Sequence, residues 1–361
     1  MSNGVDKSSG MMYAPKGKPK PVCGKGEFPI GVIGLDHGHI YGMCNGLLEA
    51  GGEVSLVYDP DPAKVAAFQK AFPEAKTARS MEEVLENPKI KLIASAAIPC
   101  NRSGIGMRAM DSEKDFFADK PPFTSLAQID EARRKAVQTG RKYAVYYSER
   151  IHVESAVFAE KLIAEGAIGR VIQVLGTGPH RISLSQRPSW FFEKDKYGGI
   201  LVDIGSHQIE QFLSFTGAKD AQVLSSRVAN FKFKQYPGLE DFGDATLQAD
   251  NGATGYFRVD WFTPDGLKSW GDGRTFILGT EGYIELRKYI DVARSPEGDQ
   301  VFLVDHKGEH HYAVAGQVGF PFFGELIQDC LHRTTKAFDQ EMFFRATELA
   351  IIAELQALKI E

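Results

Sequence analysis

The sequence predicts an α/β protein in two parts, a doubly wound parallel sheet followed by an α+β domain with an open, mostly antiparallel sheet. Strand and helix patterns alternate over residues 28–148, whereas strand patterns follow one another in most of residues 149–361. The chain has 361 residues, of which 43% are hydrophobic and 25% are charged, so it is long enough to build two cores.

Short apolar runs and amphipathic stretches alternate in the first part. A strand, a crossover helix and a parallel strand form the repeating unit of a doubly wound sheet, so this alternation predicts one. The predicted strands are 29–35, 54–59, 90–97, 115–118 and 143–147, and the predicted helices are 39–50, 62–72, 80–86, 102–110 and 126–140.

The second part opens with a predicted helix over 152–165, and a further helix is expected around His207. Turn signals such as Asp250-Asn251-Gly252 separate the strand patterns that follow, as in antiparallel sheets. The predicted strands are 171–176, 222–233, 244–249, 254–262, 274–278, 282–287 and 300–304, and two final helices are expected over 322–331 and 340–358.

Composition excludes several classes of partner and site. The net charge of −5 gives no basic surface for nucleic acid or an anionic membrane, and no apolar run approaches the length of a membrane span. The four cysteines are scattered, which predicts free thiols in a reducing compartment, the cytoplasm. Residues 1–27 are rich in Gly, Pro, Lys and Ser and predict an extended or disordered arm rather than an export signal.

The segment Tyr197-Gly198-Gly199 through Asp203-x-x-x-His207 is the most informative in the chain. If a helical turn begins near Gly205, Asp203 and His207 share one helix face. A carboxylate beside an imidazole fixes its tautomer and raises its basicity, as a general base requires. The alternative is a helix N-cap followed by a structural histidine.

A glycine turn follows the first strand, and Asp59 closes the second. Backbone N–H groups at such a turn bind pyrophosphate, and the acid accepts ribose hydroxyls. Asp36 takes the second glycine position, where a carboxylate repels phosphate unless it turns away or caps the helix. The alternative is an ordinary strand-to-helix turn. The predicted loop contacts are Gly34, Asp36, His37 and Gly38.

Three segments together resemble the glucose-fructose oxidoreductase/inositol dehydrogenase (Gfo/Idh/MocA) family: the glycine turn with Asp59, Asp119-Lys120-Pro121, and Gly198-Gly199 through His207. The resemblance extends from about residue 28 to the C-terminus. The family's Glu-Lys-Pro appears here as Asp119-Lys120-Pro121. Its Thr-Pro-Asn appears as Ile98-Pro99-Cys100, and its following histidine as Ser103.

The resemblance implies a Rossmann domain, a C-terminal domain with an open sheet, an NAD(P) cofactor, a sugar- or polyol-like substrate, and oligomers formed through the sheet. It also places Lys120 beside the nicotinamide ribose, and Pro99 among the cofactor contacts. Asp59 is followed by Pro60-Asp61-Pro62 without a nearby Arg or Lys, which predicts NAD rather than NADP.

The chemistry assigned to these residues is the oxidation of a secondary alcohol. His207, oriented by Asp203, takes the hydroxyl proton, and Lys120 stabilises the developing alkoxide. No third ligand accompanies His37 and His39, so no metal is expected. The tryptophans Trp261 and Trp270 are assigned to sheet packing or an interface.

Several polar and aromatic residues are candidates for binding the substrate, since hydroxyl-rich ligands need aromatic faces and multidentate donors. For the arginines the alternative is simple solvent exposure. The candidates are Tyr147, Arg150, His180, Arg181, Arg187 and Trp190.

The sequence therefore predicts a cytoplasmic NAD(P)-dependent oxidoreductase acting on a sugar, polyol or related hydroxy compound. Two alternatives remain open: a glycoside hydrolase or epimerase that oxidises its substrate transiently, and a non-catalytic dinucleotide or sugar sensor. The apolar residues Tyr256, Trp261 and Phe262 predict a homo-oligomer, dimer or tetramer, joined through the open sheet.

Overall fold

The structure, a computed structural model, describes Lys7, residues 9–18 and residues 20–361. The remaining residues of the predicted N-terminal arm lie outside this description. The chain forms two compact units. The parallel-sheet unit comprises the described residues of 11–146 together with residues 319–344, and the open-sheet unit comprises Lys7, residues 9 and 10, residues 147–318 and residues 345–361.

The parallel-sheet unit contains a six-stranded sheet in the order β3-β2-β1-β4-β5-β6, with every neighbouring pair parallel. This is the strand order of a dinucleotide-binding Rossmann fold, so the predicted fold of this part is confirmed. Its elements are β1 Pro29–Ile33, α1 His39–Glu49, β2 Glu53–Tyr58, α2 Pro62–Ala71, β3 Lys76–Thr77, α3 Met81–Leu85, β4 Leu92–Ser95, α4 Pro99–Asp111, β5 Asp115–Asp119, α5 Leu126–Thr139 and β6 Tyr143–Tyr146.

Helix boundaries in this unit follow local capping chemistry. The side chain of Asp61 accepts a hydrogen bond from Ala63 N at 2.8 Å, and Pro62 takes the first position of α2. Pro99 likewise opens α4, so this helix begins before the predicted residue 102. Strand β3 was not predicted, because its two residues are exposed and carry no apolar signal.

The open-sheet unit contains a nine-stranded sheet in the order β14-β13-β12-β11-β7-β10-β9-β8-β15. Its pairs are antiparallel except β7 with β10 and β8 with β15, so the predicted mostly antiparallel sheet is confirmed. Its elements are α6 Ser148–Ile151, α7 Glu154–Ala164, β7 Val171–Pro179, α8 Lys194–Tyr197, α9 Ser206–Thr216, β8 Ala221–Ala229, β9 Phe242–Ala249, β10 Thr254–Asp260, β11 Arg274–Gly279, β12 Gly282–Arg287, β13 Gln300–Asp305, β14 Gly308–Ala313 and β15 Leu358–Lys359.

Two further helices complete the chain. Helix α10, Pro321–His332, belongs to the parallel-sheet unit, and the boundary between the units falls within α11, Gln340–Leu355. Among the helices described, none is both long and apolar enough to cross a membrane.

Helix α9 covers one face of the open sheet. A Cβ on Gly255 would lie 2.8 Å from the Phe212 ring, and one on Gly178 would lie 3.0 Å from the Gln208 amide. The glycines of β7 and β10 therefore let this helix approach the sheet closely.

The opposite face of the open sheet exposes large apolar side chains. Tyr256, Leu175 and Phe276 are register partners on three adjacent strands, and each is 38–42% exposed. Of the other two residues predicted to make this sheet apolar, Phe262 is 36% exposed, but Trp261 is only 4% exposed and belongs to the core.

Candidate functional site

The turn after β1 is packed tightly against the turn after β4. Gly34 has a φ of +84°, and a Cβ there would lie 2.7 Å from the Ala97 Cβ, so this position requires glycine. His37 N donates to Ala96 O at 2.9 Å, which fixes the loop over the carboxyl edge of the sheet.

The Asp36 carboxylate is neutralised within the protein. Its Oδ1 lies 2.5 Å from Lys64 Nζ, and its Oδ2 accepts a hydrogen bond from Ile98 N at 3.1 Å. The repulsion expected between Asp36 and a pyrophosphate is therefore offset by an ammonium group.

Asp59 closes β2 as predicted and is buried. Its Oδ2 accepts a hydrogen bond from Leu35 N at 2.7 Å, and its Oδ1 accepts one from Asp61 N at 2.9 Å. The prediction that no cation lies nearby was wrong, because α2 brings Lys64 close. Burial lowers the pKa of Lys64, but the hydrogen bond to Asp36 and the charges of Asp36, Asp59 and Asp61 outweigh it and raise that pKa.

Asp119, at the end of β5, is the centre of a buried polar cluster. Its Oδ1 accepts hydrogen bonds from Lys120 N and His39 Nδ1, both at 2.8 Å. Its Oδ2 lies 2.9 Å from an Arg102 guanidinium nitrogen and 3.0 Å from His37 Nδ1. Arg102 also donates to Pro121 O at 3.0 Å and thereby supports the loop that carries Lys120.

His37, His39 and Asp119 offer three potential metal ligands within 4.8 Å of one another. The sequence argument that no third ligand exists was therefore wrong, because the fold supplies Asp119. However, each Asp119 oxygen already has two donors, and Arg102 balances its charge. Burial, followed by the charge on His39, lowers the pKa of His37 to about 3, so this imidazole is neutral. We interpret the cluster as a hydrogen-bonded support for the glycine loop.

Lys120 directly follows this cluster. It is 5% exposed, and the bond between Lys120 and Pro121 is cis. The carboxyl edge of a doubly wound sheet is where ligands bind, so Lys120 and the glycine loop lie along the same ligand-binding edge.

In the open-sheet unit, Asp203 lies in a π-helical turn, Leu201–Gly205, that runs directly into α9. A helical start near Gly205 was predicted, but this wider turn was not. His207 is 2% exposed, whereas Asp203 is half-buried. Turns of this kind interrupt regular helices at functional sites more often than elsewhere.

Gly199, the second glycine of the pair before this turn, makes room for a glutamate from the last helix. Gly199 has a φ of +99°, and a Cβ there would collide with the Glu354 carboxylate. Glu354 Oε2 accepts a hydrogen bond from Leu201 N at 3.1 Å, and Glu354 Oε1 lies 2.5 Å from Lys194 Nζ.

A second glutamate also caps the backbone N–H groups at the start of the π-helical turn. Glu240 Oε2 accepts a hydrogen bond from Ile200 N at 3.0 Å, and its Oε1 also lies 2.5 Å from Lys194 Nζ. Burial and the neighbouring Glu240 raise the pKa of Glu354 to about 8, against the opposing charge of Lys194. Sequence reasoning missed both glutamates, since they are 40 and 153 residues distant from the groups that they cap.

Glu149 and Lys288 form a buried ion pair against α9, a pairing that the sequence did not predict. Glu149 Oε2 lies 3.0 Å from Lys288 Nζ and accepts a hydrogen bond from Gln208 Nε2 at 2.8 Å. Burial opposes ionisation, but the charges of Lys288, His207 and His180 hold the pKa of Glu149 at about 2. Glu149 is therefore anionic at neutral pH.

Two predicted substrate contacts lie beside these groups. The Tyr147 ring is 6.0 Å from that of His207, centroid to centroid, and its hydroxyl lies 2.6 Å from the Thr347 hydroxyl. Arg150 instead pairs with Glu210 at 2.5 Å and with Glu160 at 2.8 Å, and these charges raise its pKa against burial.

The other predicted contacts gather around two tryptophans. The His180 ring lies 4.4 Å from Trp270 and 5.3 Å from Trp261, and its Nδ1 lies 3.0 Å from Gly178 O. Arg181 donates to Leu267 O at 2.6 Å.

Arg187 stacks rather than pairing directly with an acid. Its guanidinium lies 4.4 Å from the centroid of Phe191 and 4.8 Å from that of Trp261. Burial lowers its pKa to about 10, and Asp203 opposes that shift. Trp190 is 8% exposed. The predicted substrate residues are thus divided between the surroundings of His207 and this aromatic group.

The fold and these two sets of residues define a dinucleotide-binding oxidoreductase architecture. Residues 28–147 match an oxidoreductase family with an NAD-binding Rossmann fold, and residues 157–285 match the C-terminal domain of the same family. The chain belongs to the Gfo/Idh/MocA family.

Curated relatives are distant. A scyllo-inositol 2-dehydrogenase (NAD+) from Bacillus subtilis is 26% identical over 65% of this chain and 66% of its own length. A D-xylose dehydrogenase from Paenarthrobacter nicotinovorans is 24% identical over 44% of this chain and 43% of its own. The chain thus matches less than two thirds of either relative.

A solved structure is much more similar. A protein from Erwinia carotovora atroseptica, named only as an oxidoreductase, is 51% identical with a TM-score of 0.90, over 92% of this chain and 100% of that one. A levoglucosan dehydrogenase in complex with NADH and L-sorbose has the same fold, at 18% identity and a TM-score of 0.71 over 91% of this chain and 95% of that one.

Proposed function

We propose that this protein is an NAD(P)-dependent oxidoreductase that transfers a hydride between a secondary alcohol of a sugar, polyol or related compound and the nicotinamide. The observation that carries the proposal is the combination of a glycine turn closed by Asp59 with a buried imidazole, His207, that interacts electrostatically with the anionic Glu149. The relatives that act on inositol and xylose support the substrate class.

The dinucleotide, when bound, supplies the hydride acceptor or donor. Its pyrophosphate is assigned to the glycine loop, Gly34 to Gly38, where Lys64 offsets the Asp36 charge. Its adenosine ribose is assigned to Asp59, and Pro99 and Lys120 are assigned to contacts at the same sheet edge.

His207 is assigned to accept the hydroxyl proton during oxidation, and Lys120 to stabilise the negative charge on that oxygen. Asp203 is assigned to orient this base. Tyr147 and His180 are the better substrate candidates, because Arg150 is already committed to two glutamates. Arg181, Arg187 and Trp190 are proposed as further substrate contacts.

NAD is the proposed cofactor rather than NADP. Although Lys64 lies near Asp59, three carboxylates surround it, and these repel a 2′-phosphate. Asp36→Ala removes the closest of them, so NADPH binding should strengthen relative to NADH. Lys64→Ala added to that variant serves as the control and should abolish the gain; fluorescence titration measures both affinities.

A homo-oligomer, dimer or tetramer, is proposed to cover the exposed sheet face that contains Tyr256, Leu175 and Phe276. A cytoplasmic location is proposed from the four cysteines, none of which forms a disulfide bond within the described part of the chain.

The test is a screen of sugars, inositols and sugar acids with both cofactors, followed by His207→Ala and Lys120→Ala on the best substrate. Each variant should lose about 10²–10⁴-fold in turnover, which is far more than it loses in NAD affinity. The exposed His306 and Lys161 provide matched controls, since alanine there should change neither quantity. Product formed without net NADH would favour the epimerase or hydrolase, and near wild-type turnover in both variants would end the catalytic assignment.

A further inference from the structure

We propose that the amino edge of the parallel sheet holds a binding site for a phosphate group, built by Lys91, Lys114 and Arg141. None of these residues is assigned to the cofactor or to the substrate, so the site goes beyond the proposed function. Its ligand is a small phosphate anion, either free or carried as a phosphate monoester.

Three neighbouring strands bring these cations to one edge of the sheet. Lys91 directly precedes β4, Lys114 directly precedes β5, and Arg141 lies two residues before β6. These strands are parallel and adjacent, so their amino ends meet, and Asp115 N donates to Lys91 O at 3.1 Å across that edge. The three cationic residues line one surface pocket.

Lys114 is the member of this set that points most clearly to a ligand. It is 7% exposed, although its side chain makes no hydrogen bond or ion pair with any residue that the structure describes. Lysine is rarely buried to this extent without a partner. Burial and the charge of Lys91 lower the pKa of Lys114, and Arg141 lowers it further, against the charge of Glu113. A buried ammonium beside two like charges is costly unless an anion binds it.

The other two cations are available to the same ligand. Within the described part of the chain, neither Lys91 nor Arg141 has a side-chain hydrogen bond or an ion pair. The guanidinium offers paired N–H donors that match phosphate oxygens, and each ammonium supplies a concentrated charge. A phosphate monoester carries a charge of about −1.5 to −2 at pH 7, which balances three cations better than a single carboxylate does.

The acidic side chains of this pocket do not neutralise those cations. Asp115 Oδ2 lies 2.6 Å from an Arg333 guanidinium nitrogen, and its Oδ1 accepts a hydrogen bond from Lys142 N at 2.8 Å. Asp115 and Arg333 therefore balance each other. Glu86 and Glu113 are exposed, so water and salt screen their charges. The electrostatic potential at the buried ammonium is therefore positive.

The pocket is separate from the edge that is assigned to the dinucleotide. Lys114 and Lys120 flank the two ends of β5, which has five residues, so one end of the strand carries each. At the usual rise of a strand, about 20 Å separates their backbones. A phosphate at Lys114 is therefore not the pyrophosphate assigned to the glycine loop.

The test is isothermal titration calorimetry of the full chain with inorganic phosphate, with and without saturating NADH, at constant ionic strength. One phosphate should bind per chain, and NADH should leave its affinity unchanged. Lys114→Met should weaken the binding by at least about tenfold, because a hydrogen bond to a charged group is lost. Methionine fills the space of the buried lysine stem, so this variant should fold.

Lys89→Met is the matched control. Lys89 is exposed, lies two residues from Lys91 and does not line the pocket, so the same change of charge there should leave phosphate affinity unaltered. Methyl phosphate distinguishes the two sources of the ligand. Tighter binding of methyl phosphate than of inorganic phosphate would identify a monoester, and the reverse order would identify the free anion.

Three outcomes would overturn the inference. The first is the absence of saturable phosphate binding up to about 10 mM. The second is an equal effect of Lys89→Met and Lys114→Met. The third is loss of phosphate binding in the presence of NADH, which would place the anion in the glycine loop. If Lys114→Met fails to fold, Arg141→Met carries the same prediction, because that side chain is only half-buried.

Discussion

The cap of the π-helical turn yields a quantitative prediction for Gly199→Ala. Alanine at a φ of +99° costs about 1–2 kcal/mol in the backbone alone. The added methyl group must also displace the Glu354 carboxylate, which is the mobile end of a side chain and can move. Moving it leaves the buried N–H of Leu201 without its acceptor, which costs about a further 1–3 kcal/mol.

The expected loss is therefore about 2–5 kcal/mol in the free energy of unfolding of the open-sheet unit. Gly217, at the end of α9, provides the control: its φ is +67°, and an added Cβ would meet nothing within 4 Å. Gly217→Ala should cost only the backbone part, about 1–2 kcal/mol.

Urea unfolding monitored by tryptophan fluorescence measures both losses, since all three tryptophans lie in the open-sheet unit. The difference between the two variants isolates the contact with Glu354. Equal losses would refute the claim that glycine is needed at position 199 to admit this carboxylate.

Three further predictions concern acid stability, cofactor choice and assembly. The pKa of His37 is about 3 in the folded protein and about 6.5 in the unfolded chain, so between these pH values only the unfolded chain gains a proton. The free energy of unfolding should therefore fall by about 1.4 kcal/mol for each unit of pH decrease in this window. His37→Gln should remove this contribution, which acid unfolding curves measure. Asp59→Ala should narrow the preference for NADH over NADPH in binding titrations, and a wild-type preference for NADPH would contradict the assignment of NAD. Light scattering at micromolar concentration should detect an oligomer that Tyr256→Lys weakens; a wild-type monomer would exclude the proposed interface.

The helices and strands could be predicted from the sequence, because each has a characteristic spacing of apolar residues. The alternation over 28–148 and the later succession of strands required no distant information. The π-helical turn was missed since its residues read as the first turn of an ordinary helix, and β3 was missed because only two exposed residues form it.

The candidate site was only partly predictable for a different reason. Lys120, Asp203 and His207 stand in recognisable local motifs, but the groups that hold or charge them come from remote parts of the chain. Glu149 and Lys288 are 139 residues apart, and no local pattern indicates that the two side chains form an ion pair. Asp119 lies beside His37 and His39 because of the order of the strands in the sheet, which the local sequence does not reveal.

The long span between Glu354 and the turn that it caps also matters during biosynthesis. The N–H group of Leu201 leaves the ribosome 153 residues before its acceptor. At about 5–20 residues per second, the nascent chain waits roughly 8–30 s for that acceptor. Throughout this interval the segment with Asp203 and His207 lacks a native contact, so vectorial synthesis completes the surroundings of the proposed base long after that segment itself has been made.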